Sequence, residues 1–180
     1  MTDANFLVAA DPHTHKSALR ERIVEHAFVS KLLRALWSKR ITDAEVLRSE
    51  FDAYGYDLVV ERGKIVRHIQ LKTKRVKPEQ RNRRPSGTAT IASSLQRKPS
   101  ACVLWLGVDD NLSIISYFWF GSSPGDPLPD VDCFKISKRV TPTGAGKRPL
   151  RPNYREVPLS KFDRLNGFDE VLEKLLGPLS

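Results

Sequence analysis

The chain is poor in the residues that build disulfide frameworks and metal knuckles: its 180 residues include two cysteines, one methionine and four histidines. No Cys-x-x-Cys and no Cys/His pairing at ligand spacing occurs, which argues against a structural zinc site. Cys102 lies in the apolar run ACVLWLGV and Cys133 beside Phe134, so both read as small core hydrophobes of a reducing cytosol. The N-terminus has no basic n-region followed by an apolar h-region, and no stretch approaches the length of a membrane span. A cytoplasmic protein with no membrane partner is the expectation. Gly144-Ala145-Gly146-Lys147-Arg148 lacks the Gly-x4-Gly-Lys-Ser/Thr spacing and has Pro149 where a helix should start, which excludes a phosphate-cradling loop.

No internal repeat divides the chain, and 20.4 kDa suits one core. The expected organisation is a single domain over 1–180, with a loose arm over 1–15, a core over 17–120 and a C-terminal extension over 121–180. That extension is expected to carry a basic loop and short helices. His13 and His15, on the arm, read as incidental.

Charge of one sign is abundant. Thirty Lys and Arg against 21 Asp and Glu leave a formal charge of +9 and a pI near 9.8, which points toward a polyanion such as DNA. The excess is gathered into two tracts. Lys72 to Arg84 holds seven basic residues and one acid, and Lys135 to Arg155 holds seven with no acid. Lys74, Arg75, Lys77, Arg81, Arg83 and Arg84 in the first tract, and Lys147, Arg148, Arg151 and Arg155 in the second, are candidate phosphate contacts. Solvated loops are the alternative reading.

SALRERIVEHAFVSKLLRALWSK, from Ser17, reads as an amphipathic helix with Ser17 as N-cap. Its stripe of Leu19, Ile23, Val24, Phe28, Leu32, Leu36 and Trp37 is expected to pack against a sheet. Glu25 falls in a sector shared with Val29, Leu32 and Leu36, so it needs a partner: a metal, a hydrogen-bond donor, or a cation such as Arg22 or Arg48. Glu21 falls in a similar sector, and periodicity does not choose between the two acids.

Glu45 to Glu50 reads as a strand, and Asp52 as a turn residue before the bend at Tyr54-Gly55. YDLVVERGKIVRHIQLKTK, Tyr56 to Lys74, reads as a hairpin turning at Arg62-Gly63. Glu61 opposite Lys64 would put Asp57 opposite His68, with Gln70 and Lys72 on the same face. Downstream, TATIASSLQRKP reads as a short helix, ACVLWLGVDD and LSIISYFWFG as central strands, DCFKIS as a short strand, and SKFDRLNGFDEVLEKLLG as two short helices.

An Asp, a Gln amide oxygen and a Lys on one face are suited to phosphodiester hydrolysis. The oxygens of Asp57, Gln70 and Glu25 can hold Mg²⁺ or Mn²⁺, and Lys72 can position water and offset negative charge. These residues, in the order helix acid, strand Asp, Gln-x-Lys, helix and strands, resemble the PD-(D/E)xK, or restriction-endonuclease-like, nuclease superfamily. The likeness extends over residues 17 to about 120, and VEHAFVSKLLRALW, VLRSEFDAYGYDLVVERG and IQLKTK look like small bacterial proteins of that superfamily. The resemblance implies an α/β core with a mixed β-sheet flanked by helices, and a catalytic set of Glu25, Asp57, Gln70 and Lys72. Gln70 stands where that pattern more often has Glu, and Tyr56 where it often has Pro. The first substitution removes one negative charge from the metal shell.

Three readings follow: a Mg²⁺-dependent DNA endonuclease of restriction, repair or mobile-element type; a nucleic-acid-binding protein on the same fold without turnover; or a structural polar network. A homodimer through the apolar segment Val171 to Leu176 is a further expectation, since cutting both strands calls for two sites.

Overall fold

The computed structural model describes residues 16–51, 53–83, 86–139, 146 and 148–178. His13, His15, Asp52, Arg84 and Lys147 therefore lie outside the described residues.

Helix α1 (Ser17–Ser38) begins one residue earlier than the capping pattern predicts: Lys16 holds the N-cap position and Ser17 is the first helical residue. Val24, Phe28, Leu32 and Leu36 repeat every four residues and are buried. The other members of the expected stripe, Leu19, Ile23 and Trp37, are exposed. They fall on the opposite side of the helix, because the buried face is only as wide as the sheet it meets.

That sheet is mixed and six-stranded, in the order β1 (Ala44–Arg48), β2 (Leu58–Arg62), β3 (Ile65–Arg75), β5 (Cys102–Val108), β6 (Ile114–Gly121) and β9 (Asp163–Leu165). β3 and β5 run parallel and every other neighbouring pair antiparallel. All seven residues of β5 are buried, as its continuous apolar run predicts for a strand covered on both faces.

The fold class is thus α/β, and the covering of the sheet differs from the expectation. Both helices lie on one face. α1 and α2 (Phe168–Leu176) pack there against Leu58, Val60, Ile69, Leu104 and Trp119. The other face is closed by a three-stranded sheet, β4 (Thr88–Ala92), β8 (Leu150–Pro158) and β7 (Lys135–Lys138) in the order β4-β8-β7, around Ile91, Val103, Trp105, Phe118 and Val157. The short helix expected after the first basic tract is therefore strand β4 followed by a 3-10 turn, Ser93–Arg97. Its β-branched Thr88, Thr90 and Ile91 favour the strand once β8 offers a partner. The first of the two expected C-terminal helices is a 3-10 turn, Leu159–Lys161, followed by β9. Residues 150–155, expected in a basic loop, belong to β8.

Val171, Leu172, Leu175 and Leu176 are buried in the helix-side core, which removes the expected dimer surface. Among the described residues no helix is long and apolar enough to cross a membrane.

The two cysteines also part company. Cys102 is buried and its thiol is pushed up to about 12 by desolvation, whereas Cys133 is exposed with its Sγ 3.3 Å from the Asp130 carbonyl. Ellman's reagent at about pH 8 should therefore titrate Cys133 alone in the native protein and both thiols after denaturation. Two fast native thiols would contradict the buried placement.

Candidate active site

The hairpin turns one residue later than expected, which displaces every cross-strand partner by two residues. Gly63 takes φ +57°, so the two-residue turn is Gly63-Lys64; Arg62 pairs with Ile65 and Val59, not Asp57, faces His68. Asp57 lies just before β2. Its main-chain N–H donates to the Ile69 carbonyl at 2.8 Å, and its Oδ2 accepts the Leu71 N–H at 2.6 Å. The two bonds straddle Gln70. Beyond Ile69 the edge of β3 has lost its β2 partner, and the Asp57 carboxylate takes up an amide that a longer strand would have paired.

Gln70 and Lys72 lie in register with Val103 and Trp105, so they keep to one face of β3 as the period of two requires. Gln70 is 4% exposed, and its Oε1 is buried with no hydrogen-bond partner among the described residues. Such an oxygen costs about 1–3 kcal/mol if nothing else meets it. Lys72 is half-buried.

At the open edge of β3 a pocket of about 270 Å³ is lined by Glu21, Val24 and Glu25 of α1 together with Asp57, Leu71, Lys72, Thr73 and Leu106. Four of the residues singled out from sequence, Glu21, Glu25, Asp57 and Lys72, thus share one cavity. Gln70 is not among its lining residues. Glu25 takes the salt-bridge alternative: its Oε1 is 3.4 Å from Arg48 Nε, and Arg48 also hydrogen-bonds His26 at 2.9 Å. Among the described residues no three His, Cys, Asp or Glu side chains cluster as metal ligands. A cation in this pocket would have to draw on one or two of its lining carboxylates, backbone carbonyls and water, since Gln70 points to the face of β3 that carries Val103. Mg²⁺ accepts such a set, because it keeps several waters and takes few carboxylates.

The segment before Asp57 is held tightly. Tyr56 stacks edge-on against His68 at 4.9 Å, and Lys98 Nζ lies 3.9 Å from the Tyr54 ring centroid and 5.3 Å from that of Tyr56. Gly55 has φ +83°, and a Cβ there would sit 2.7 Å from the Ala92 Cβ and 3.2 Å from Gln70 Nε2. Gly55→Ala should destabilise the fold by about 1–3 kcal/mol in urea titrations and displace Gln70. A stability equal to that of the unsubstituted chain would contradict this packing.

Behind Gly55 lies a second pocket, about 250 Å³, lined by Ala53, Gly55, Ala92, Ser93, Ser94, Arg97, Asn153 and Tyr154. Linear reading missed Ser93, Arg97 and Asn153, since only the pairing of β8 with β4 brings them to the 53–57 segment.

The basic residues divide by their engagements. Lys74, Arg75, Lys77, Arg81 and Arg83 are exposed, and they leave β3 from the end that carries Lys72. Lys74 Nζ donates to the Ser86 carbonyl at 3.2 Å, and Arg75 pairs with Asp110. Arg148 is exposed, while Arg151 lies over the Tyr154 ring at 3.7 Å. Arg155 bonds Asp132 at 2.8 Å with its side chain largely covered, so that cation is already neutralised within the fold.

Sequence comparisons with protein families and with curated proteins, and a structural comparison with solved structures, return no match. The functional reading therefore rests on the site itself.

Proposed function

We propose that this protein is a Mg²⁺-dependent DNA endonuclease whose α/β core is of the restriction-endonuclease-like kind. The observation that carries the reading is the meeting of Asp57, Lys72 and the α1 carboxylates in one pocket; the next residue along β3 from its Leu71, Gln70, has a buried amide oxygen with no hydrogen-bond partner among the described residues. Asp57 and Glu25 line the pocket and would hold Mg²⁺ or Mn²⁺, with Glu21 as the second acid of the helix, and Gln70 would join them only from the adjoining face of β3. A divalent ion bound there supplies Lewis-acid polarisation of the scissile phosphate and a lowered pKa for water.

The side chains supply the rest. Lys72 places an ammonium where negative charge grows on the phosphate as water attacks phosphorus and the P–O bond to the leaving sugar oxygen breaks. Asp57, with its main-chain N–H and Oδ2 tied to β3, cannot swing away as substrate enters. The exposed cations Lys74, Arg75, Lys77, Arg81 and Arg83 extend from the same end of β3 and can follow a DNA backbone, with Arg148 and Arg151, at the start of β8, as further candidate contacts.

A second reading, binding without turnover, is favoured by the Glu25–Arg48 ion pair and by Gln70 in place of an acid. Supercoiled and linear DNA, single- and double-stranded, incubated with Mg²⁺, Mn²⁺ or EDTA, separates the two. Metal-dependent nicking supports the enzyme. Metal-independent, salt-sensitive retention of DNA with no cleavage supports the binder.

A further inference from the structure

Helix α1 has two apolar faces. Opposite the one buried against the sheet, Leu19, Ile23, Leu33 and Trp37 are 54%, 43%, 49% and 78% exposed. At about 100° per residue these four fall within a sector about 80° wide, together with His26 and Ser30. Single exposed apolar residues need no explanation, but a stripe running the length of a helix marks an interaction surface.

The spacing of that stripe is symmetric. Leu19 with Trp37, Ile23 with Leu33, and His26 with Ser30 are each centred on Phe28. When a two-fold axis crosses α1 at the level of Phe28, an antiparallel copy brings each residue level with its counterpart: Leu19 beside Trp37, Ile23 beside Leu33. We infer that the outer face of α1 is the interface of a homodimer, in which two copies of α1 pack antiparallel about this axis.

Charge favours a second copy over other occupants. The outer half of α1 carries Lys16, Arg22 and Arg34 and no carboxylate. α2 lies alongside, joined through the Phe28–Phe168 contact and the Lys31 ammonium over the Phe168 ring; its Glu173 is exposed, while Asp169 pairs with Lys39 of the same chain at 2.8 Å. A second copy thus offers an apolar stripe to the stripe and the Glu173 carboxylate to the cations. An anionic bilayer laid on the two helices would meet that carboxylate, and a nucleic acid would meet the apolar stripe. From Leu19 to Trp37 the stripe is about 27 Å long and 10 Å wide, small for a specific interface, so the dimer should be weak and concentration-dependent. The inference is independent of the proposed nuclease activity.

Sedimentation velocity of the full chain over a concentration series tests it. The expected result is a monomer–dimer equilibrium that persists at high salt, with dissociation constants roughly tenfold or more higher for Trp37→Ser, Ile23→Glu and Leu33→Lys. Mixing Ile23→Glu with Leu33→Lys should restore the dimer, because the antiparallel register sets those positions side by side. Circular dichroism identifies any variant that fails to fold, and Trp37→Ser, at the most exposed position, then carries the test. A monomer at every concentration overturns the inference, as does a dimer indifferent to all three substitutions or a mixture that does not reassociate. Binding to phosphatidylglycerol vesicles that requires Trp37, by a chain that stays monomeric, would assign the stripe to lipid and also overturn it.

Discussion

Lys72→Ala should lower Mg²⁺-dependent nicking of supercoiled DNA by on the order of 10²–10³ while leaving the melting temperature and DNA affinity close to those of the unsubstituted chain. Lys72 is half-buried in a polar pocket at the end of the sheet, so its removal leaves no large apolar cavity. Lys72→Arg should recover little, because a planar guanidinium on a longer stem cannot occupy the place of the ammonium. Asp57→Asn is the companion change. It keeps an oxygen for the Leu71 N–H and removes only the charge, so a loss of similar size would assign the effect to metal or phosphate electrostatics and not to a loosened hairpin. Nicking at the unsubstituted rate in either variant would sink the catalytic assignment and leave DNA binding as the better account.

Arg67→Met should destabilise the fold by about 3–5 kcal/mol, a large share of a typical domain's stability, read as a fall in the urea midpoint at neutral pH. The Arg67 side chain is completely buried. Its Nε donates to the Leu175 carbonyl at 3.2 Å, and Nη1 to the Ser100 carbonyl at 3.1 Å and Ser100 Oγ at 3.0 Å. Nη1 also reaches the Ser123 carbonyl, and Nη2 bonds the carbonyls of Ser122 and Lys174. The guanidinium, 5.1 Å from the Trp119 ring centroid, therefore ties β3 to the end of α2, the loop after β6 and the approach to β5. Desolvation pulls its pKa below the ordinary arginine value, opposed by Cys102 and Asp126. Methionine fills much of the volume yet leaves up to five carbonyls without their donor, each costing about 1–3 kcal/mol before relaxation. An unchanged midpoint would mean that water satisfies those carbonyls equally well.

The position of Arg67 is legible in the strand period. Arg67 shares a face of β3 with Ile65, Ile69 and Leu71, so the strand's own period puts a cation among residues that face the core. The same rule correctly placed Gln70 and Lys72 together. What misled was the turn: placing it at Arg62-Gly63 and not Gly63-Lys64 shifted every cross-strand partner and set Asp57 against His68. The site survives that slip because Asp57 reaches β3 from outside the ladder.

α1 was legible as a helix, but which of its two apolar faces would be covered was not, since Leu19, Ile23, Leu33 and Trp37 are as hydrophobic as the residues that are buried. Likewise Thr88–Ala92 is too short for its propensity to decide between helix and strand, and β8 decides it by supplying hydrogen bonds. Glu25 had several possible partners in the sequence, and the placement of β1 beside α1 brings Arg48 to it.

By itself the sequence determined the local and periodic facts: a long amphipathic helix, two largely apolar strands, a hairpin that keeps Gln70 and Lys72 on one face, and two acid-poor basic tracts. These follow from residue spacing and charge, which act within a few turns or strand repeats of their origin. The tertiary structure alone decided the hairpin register, the coverage of the second sheet face by β4-β8-β7, the burial of Arg67 and the pocket shared by Asp57, Lys72 and the α1 acids. Those depend on which distant segment supplies the missing hydrogen bond or countercharge, and that choice is made only when the whole chain packs.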